Sequence, residues 1–249
     1  MPFSKEMILG ASGNQGAGGF YEYQIEQSLR CSNVNAEYLQ SPTWSAGADK
    51  KYTISIWVKI SGKDGNQYRM FTGDAPGNIG IGFNASDNFH IGSHTSVTTN
   101  AKFRDQSGWY HIVAGNGPNS GDGFVYVNGV EQTLSANAFN SNSGLFRDGG
   151  VVLVGVGNPS YDYDFVGYVA EFYGFYDMTV AHTAVGEFKN GIWVPKEYTG
   201  SYTSQSFYLK FANASNLGID SSGNGNNFSN NGNSMGTDHQ VLDSPTFGS

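Results

Sequence analysis

The carboxylates of this chain are the first residues to weigh for chemistry. Glu171 and Asp177 stand six positions apart, and Asp162 and Asp164 alternate with tyrosines in Tyr161-Asp-Tyr-Asp164. Hydrolysis of a glycosidic bond with retention needs two carboxyl groups about 5–5.5 Å apart, one as nucleophile and one as general acid. No compact run such as Glu-x-Asp-x-x-Glu occurs, so the carboxylate spacing predicts a protein that is not an enzyme.

Nucleophiles and soft metal ligands are equally scattered. The five histidines stand apart, no Gly-x-Ser-x-Gly elbow occurs, and Cys31 is the sole cysteine, so no internal disulfide forms. This spacing predicts neither a serine or cysteine hydrolase nor a zinc site. Cys31 is predicted to be a small buried residue of the first strand. His111, next to Trp109 and Tyr110, is predicted to be a packed and hydrogen-bonded strand residue.

One segment, Asp220-Ser-Ser-Gly-Asn-Gly-Asn226, combines hard oxygen donors with glycines that allow tight turns. Asp220, Asn224 and Asn226 carry the carboxylate and amide oxygens that Ca²⁺ prefers. Asx turns, however, explain Asp and Asn in such a loop without any ion. The segment therefore predicts either a calcium site at these three residues or a set of Asx turns, and the sequence predicts no other cofactor.

Aromatic side chains in turn-rich contexts indicate a different chemistry, stacking on sugar rings while Asp or Asn bind the hydroxyl groups. The candidate glycan-binding residues are Tyr161, Asp162, Tyr163, Asp164, Trp193 and Tyr202. The alternative is that Trp57 and Trp109 belong to the core and that the loop tyrosines form contacts between subunits, where tyrosine is enriched.

The charge balance excludes several classes of partner. The chain has 13 Lys and Arg against 21 Asp and Glu, a formal net charge of −8, and no run of basic residues. We expect no nucleic acid, because neutralising successive phosphates needs clustered cations. No stretch approaches the roughly 18 apolar residues of a membrane span, and residues 1–10 lack the apolar region of a signal peptide. We expect no membrane insertion and no signal peptide.

The remaining pattern is that of short strands joined by tight turns, in a chain with 35 glycines and 14% charged residues. Residues 52–60 alternate Ile and Val with other residues, which predicts a strand. Residues 151–156 predict a buried strand, and Asn128-Gly129 predicts a two-residue hairpin turn. Residues 183–189 predict the one short helix. These features predict an all-β protein.

The first twenty residues read as an arm, because residues 10–19 are rich in glycine and have few side chains to bury. The predicted organisation is a flexible, glycine-rich N-terminal arm over 1–20 and one domain over 21–249. A frayed terminus is the alternative. The candidate anchoring residues of the arm are Phe3, Ile8, Leu9, Phe20 and Tyr21.

Several strands together resemble a known family. The segments are Gly108-Trp-Tyr-His-Ile-Val113, Phe124-Val-Tyr-Val-Asn-Gly-Val130, Gly167-Tyr-Val-Ala-Glu171 and Asp220 to Asn226. They resemble the concanavalin A-like lectin/glucanase (laminin G-like) superfamily, in the order found in structural proteins of marine bacteriophages, where such domains form head decorations or fibres. The resemblance implies a concanavalin A-like β-sandwich, a jelly roll of two antiparallel sheets.

The same resemblance implies a function and partners. We expect a non-enzymatic virion surface protein, made in the host cytoplasm, that contacts a major capsid, fibre or tail protein and forms a homo-oligomer, for which phage assemblies suggest a trimer. Its loop aromatics would bind host-surface glycans. The alternative is a free carbohydrate-binding module or adhesin that is not part of a virion.

Overall fold

The computed structural model describes most of the chain in separate ranges. These ranges are 22–32, 37–45, 51–62, 67–73, 79–92, 96–117, 119, 121–137, 146, 148–155, 165–231 and 235–245. Two sets of predicted residues lie outside them. One is the anchoring set Phe3, Ile8, Leu9, Phe20 and Tyr21, and the other is the Tyr161, Asp162, Tyr163 and Asp164 part of the glycan set.

Two antiparallel sheets of eight strands each form within these ranges, with strands numbered in chain order. The first sheet runs, in spatial order, β10 (Val130–Glu131), β9 (Phe124–Val127), β8 (Tyr110–Asn116), β3 (Tyr52–Ile60), β13 (Gly167–Tyr176), β1 (Ser28–Cys31) and β18 (Gln240–Val241), and β16 (Phe207–Leu209) also pairs with β13. The second sheet runs β11 (Leu134–Asn137), β7 (Ser96–Lys102), β6 (Asn88–Gly92), β5 (Ile79–Asn84), β4 (Gln67–Gly73), β12 (Leu153–Val154), β2 (Tyr38–Gln40) and β17 (Ser229–Asn231).

The main core lies between the two sheets. Ile54, Ile56 and Val58 point inward from β3 and are fully buried. Across the interface, the rings of Phe71 on β4 and Phe172 on β13 have centroids 4.7 Å apart. Burial of alternate apolar residues from two facing sheets is the basis of a sandwich. The predicted all-β sandwich of two antiparallel sheets is confirmed.

The outer face of the first sheet is also buried, which alternation alone does not predict. Trp57 on β3 points away from the main core but is 1% exposed, because Ile25 and Trp193 pack over it. Ile25 belongs to the chain that leads into β1, and Trp193 belongs to the hairpin of β14 (Gly186–Lys189) and β15 (Ile192–Pro195). A second, smaller apolar layer therefore covers the central strands from outside.

The predicted helix over residues 183–189 is wrong. The segment forms the end of a 3-10 turn, His182–Ala184, followed by β14. Asn190 and Gly191 adopt φ values of 49° and 83°, the left-handed conformation that a two-residue hairpin turn needs. Pairing with β15 therefore overrides a weak helical propensity.

Two smaller predictions also have clear outcomes. The strand predicted over residues 151–156 is present but shorter, as β12, and Cys31 is buried in β1 as predicted. In the described ranges the helical segments are the 3-10 turns His182–Ala184 and Thr237–His239, and no helix there is long and apolar enough to cross a bilayer.

Candidate functional site

Four outward-facing side chains form a row across the first sheet near one end of its strands. Arg30 of β1 pairs with Tyr168 of β13, and Tyr168 pairs with Lys59 of β3. Trp109 continues the row, since it immediately precedes Tyr110, which pairs with Val58 of β3. Directly opposed residues of neighbouring strands share one face of a sheet. The row Arg30, Tyr168, Lys59 and Trp109 therefore alternates a cation with an aromatic ring.

Carboxylates from the C-terminal segment hold both cations of this row. Asp243 accepts a hydrogen bond from Lys59 Nζ at 2.8 Å and another from the indole Nε1 of Trp109 at 3.3 Å. Asp238 lies 3.6 Å from the guanidinium of Arg30. The Lys59 ammonium also lies 6.0 Å from the ring centroid of Tyr168. These contacts order the polar groups beside the two aromatic rings.

A pocket of about 380 Å³ opens beside Arg30 and Tyr168, within the range of ligand pockets. Its wall includes Glu37 and His239, whose carboxylate Oε2 and imidazole Nε2 lie 2.8 Å apart. Ser61 also contributes to the lining. The pocket therefore has an aromatic side at Tyr168 and hydrogen-bonding groups of both polarities around it.

This arrangement suits a small polar ligand that also has an apolar face. Tyr168 and Trp109 are half-buried, and their ring centroids lie 6.5 Å apart at an interplanar angle of 53°. Aromatic rings supply apolar contact at low entropic cost, while the charged groups form strong hydrogen bonds. A sugar, with C–H groups on its faces and hydroxyls on its rim, matches both features.

Trp193, predicted as a glycan-binding loop residue, is instead 5% exposed. It fills the layer between the β14–β15 hairpin and the sheet, where its ring stacks near His111. The prediction is wrong for this residue, because the hairpin that the helix assignment missed turns the indole inward. Tyr202 is half-buried and stacks on Phe175 with ring planes 9° apart, which leaves part of the side chain accessible.

The Asp220 loop is held by hydrogen bonds that include an Asx turn, in which the backbone N–H of Ser222 donates to Asp220 Oδ1 at 2.9 Å. Asp220 accepts hydrogen bonds from the backbone N–H of Tyr208 and Asn226 and from the hydroxyl of Ser222. The side-chain amides of Asn224 and Asn226 both donate to the carbonyl of Ser206 at 2.9 Å. Both carboxylate oxygens therefore serve protein donors, and the two amide nitrogens converge on one carbonyl.

The chain that the structure describes has no group of three or more His, Cys, Asp or Glu side chains suited to a metal ion. Calcium at the Asp220 loop would require a different arrangement of these amides, with oxygens rather than nitrogens facing the ion. Calcium binding stays a prediction for experiment.

Glu171 and Asp177, the carboxylates first weighed for catalysis, have separate structural partners. Glu171 sits at a bulge in β13 with φ 49°, and its Oε2 accepts hydrogen bonds from the hydroxyls of Tyr23, Tyr173 and Tyr208. Burial raises the pKa of the Glu171 carboxyl above its usual range, and the tyrosine hydrogen bonds oppose this shift. Asp177 is paired with Lys51 at 3.6 Å.

His111 is a packed and hydrogen-bonded strand residue, as the sequence predicts. Its ring stacks on Trp57 with centroids 4.4 Å apart, and its two nitrogens contact Ser55 Oγ and Trp193 Nε1, each at 2.8 Å. Burial, with a smaller contribution from His182, lowers the pKa of His111 to about 3. The imidazole is therefore neutral at physiological pH.

Sequence reasoning missed the row itself and placed Trp109 in the core as an alternative. Two local features could have indicated it. Lys59 is the last outward-facing residue of the alternating strand β3, and Trp109 precedes Tyr110, which faces the main core. The strand register that brings Arg30 and Tyr168 beside them is not readable from local pattern.

Comparisons with known proteins agree with this architecture. A structure of a presumed carbohydrate-binding protein from Bacteroides ovatus aligns with a TM-score of 0.58 at 15% identity, over 84% of this chain and 59% of that protein. The SAP-like pentraxin of Limulus polyphemus aligns with a TM-score of 0.47 at 14% identity, over 64% of this chain and 80% of that chain. The chain thus spans less than two thirds of the Bacteroides protein, and the likeness to that protein shows the fold alone.

Sequence comparison identifies the family of the chain. No curated protein matches the chain. A family model described as the concanavalin A-like lectin/glucanases superfamily, of the laminin G type, matches residues 33–181 of the 249. This match covers more than half of the chain, which therefore belongs to the concanavalin A-like lectin/glucanase superfamily.

Proposed function

We propose that this protein is a non-enzymatic surface module that binds glycans at the row Arg30, Tyr168, Lys59 and Trp109. The observation that carries the proposal is the position of Tyr168, between two cations on the outer face of the sheet and at the wall of a pocket of about 380 Å³. Convergent polar groups around an apolar wall are the usual signature of a binding site.

The ligand contacts follow from the chemistry of the row. The rings of Tyr168 and Trp109 offer apolar surface to the C–H face of a pyranose. Arg30 and Lys59 supply N–H donors, and Asp238 supplies carboxylate oxygens that accept hydrogen bonds from sugar hydroxyls. Ion pairs on the protein keep these side chains in place before the ligand arrives, which lowers the entropic cost of binding.

The partners of the carboxylates support the non-enzymatic part of the proposal. Asp243 is bound to an ammonium and an indole N–H, whereas Asp238 contacts a guanidinium. Both carboxylates therefore hold side chains of the row in place, which is a binding role rather than a catalytic one. We expect no hydrolysis of any glycan that binds.

We further propose that the module sits on a virion surface, as a capsid decoration or fibre, and meets other virion proteins as a homo-oligomer. The support is the sequence resemblance to structural proteins of marine bacteriophages. The alternative is a free carbohydrate-binding module or adhesin. Copy number in purified particles, by quantitative mass spectrometry, separates these proposals: hundreds of copies indicate a head decoration, a few to tens indicate a fibre, and absence overturns the virion role.

Glycan binding is tested on an array of immobilised glycans with the full chain. We expect binding that Tyr168→Ala reduces at least about tenfold, because aromatic anchors dominate such sites. Tyr126→Ala is the matched control, since Tyr126 also lies half-buried on the outer face of the same sheet but stacks on His182, away from the pocket. Unchanged binding by Tyr168→Ala, with a folded protein, would place the site elsewhere.

A further inference from the structure

We infer that the ligand of this site is a neutral glycan that bends where it is bound. The inference rests on the proposed function, and it adds the charge and the shape of the ligand. Two independent observations carry it: the ion pairing along the row, and the angle between its two aromatic rings.

The charges around the pocket disfavour an acidic sugar. Arg30 and Lys59 are already paired with Asp238 and Asp243, at 3.6 and 2.8 Å. A third carboxylate, Glu37, lies in the pocket wall. The permanent charges of the site are therefore three negative and two positive, on a chain of net charge −8. A sialic or uronic acid would have to displace an aspartate from its cation, and the displaced carboxylate and that of Glu37, which contacts His239, would both lie near the ligand's own carboxylate and repel it.

A neutral sugar needs no such displacement. Each ion pair presents acceptor oxygens and donor N–H groups side by side, and vicinal hydroxyls both donate and accept. Asp238 retains this capacity because its side chain is 71% exposed while it contacts Arg30. The hydroxyl pair of a neutral glycan therefore fits the site in its resting arrangement.

The angle between the rings of Tyr168 and Trp109 restricts the shape of the glycan that can contact both. Their planes differ by 53°, with centroids 6.5 Å apart. A flat, unbranched β-1,4-linked chain presents successive sugar faces in nearly one plane, so it meets only one of these rings face-on. A chain that turns between two residues, or a branched end, contacts both Tyr168 and Trp109. In this orientation the indole donates a hydrogen bond to Asp243.

The first experiment places neutral and acidic glycans on one array and applies the full-length protein. We expect the ligands to be neutral, with sialylated and uronic-acid glycans at least about tenfold weaker, and the strongest to be curved or branched. Preferred binding of acidic glycans would overturn the charge inference while leaving glycan binding intact. A flat β-1,4-linked chain as the strongest ligand would overturn the shape inference. Binding to no glycan would overturn the proposed function itself.

A second experiment changes the charge of the site without removing its rings. Asp238→Asn combined with Asp243→Asn frees both cations, so we expect acidic glycans to bind about fivefold or more tightly than to the unmodified protein. Asp177→Asn is the matched control for the single variant Asp238→Asn, because it removes one carboxylate charge just beyond the other end of β13. Asp238→Asn alone keeps the test decisive if the double variant unfolds. No gain for acidic glycans in a folded variant would contradict the charge inference.

Discussion

The indole Nε1–H of Trp193 donates a hydrogen bond to Nδ1 of His111 at 2.8 Å. An indole nitrogen is a donor only, so Nδ1 of the imidazole must be the acceptor and carry no proton. The proton of the neutral ring is therefore on Nε2, which donates to Ser55 Oγ at 2.8 Å. This contact fixes the tautomer of His111 and joins the β14–β15 hairpin to the sheet.

The pairing predicts a pH dependence of stability. The pKa of His111 falls from 6.5 to about 3 on folding, so between these values the unfolded chain binds more protons than the folded one. The contribution of the neutral His111 to the unfolding free energy is fully present above pH 6.5. It is lost progressively as the pH falls from 6.5 through the folded pKa of about 3. We expect His111 to contribute at most about 1.4 kcal/mol of unfolding free energy per pH unit in this window.

Urea unfolding of the unmodified protein and of His111→Gln, followed from pH 7 to pH 3.5, measures this contribution. The variant should be less stable at pH 7, and the difference between the two proteins should shrink as the pH falls. Parallel curves across the whole range would mean that His111 titrates normally in the folded state.

Gly129 provides a test of the packing around the same indole. Gly129 has φ 75°, and a Cβ placed there would lie 2.2 Å from a ring carbon of Trp193. Gly121 has a similar φ of 86° but open space around its own Cβ position. We expect Gly121→Ala to cost about 1 kcal/mol from backbone strain, and Gly129→Ala about 2–4 kcal/mol, since overpacking adds to the strain. Equal losses in denaturant unfolding would rule out close packing of Trp193 on this turn.

The buried Glu171 predicts a specific role for Tyr23. The Tyr23 hydroxyl bonds to Glu171 Oε2 at 2.9 Å and to the Tyr208 hydroxyl at 2.6 Å. We expect Tyr23→Phe to lower the unfolding free energy by about 1–2 kcal/mol. Tyr198→Phe is the control, because its hydroxyl donates to an exposed backbone carbonyl of Ser201, and we expect a loss of about 0.5 kcal/mol or less. Similar losses in thermal melts would argue against a special role for the carboxylate.

The two interpretations of the Asp220 segment, a calcium site or Asx turns, predict different effects of calcium on the melting temperature. Because Asp220 accepts hydrogen bonds at both carboxylate oxygens and the amides of Asn224 and Asn226 are occupied, we expect the melting temperature to be the same in millimolar Ca²⁺ and in EDTA. A calcium-dependent rise, absent in Asp220→Asn, would instead support the calcium site, since binding to the folded state raises stability.

The sequence predicts strands and hairpin turns well where neighbouring residues specify them. The alternation in residues 52–60 predicted β3, and Asn128-Gly129 predicted the turn between β9 and β10, where the two φ values are 49° and 75°. The same dipeptide at Asn190-Gly191 carried the signal for β14 and β15. A helical interpretation of the preceding residues obscured it, and this error put Trp193 on the surface.

The sequence by itself determined the all-β class and the buried character of Cys31 and His111, because short-range periodicity, turn chemistry and composition report directly on local structure. The family followed from the resemblance of whole segments and from the family-model match over residues 33–181. Only the tertiary structure decided the candidate site. Arg30, Lys59 and Tyr168 come from three strands far apart in the chain, and they become neighbours through a register set by the whole sheet. A shift of one residue would turn each of these side chains to the other face, so no local pattern specifies their meeting.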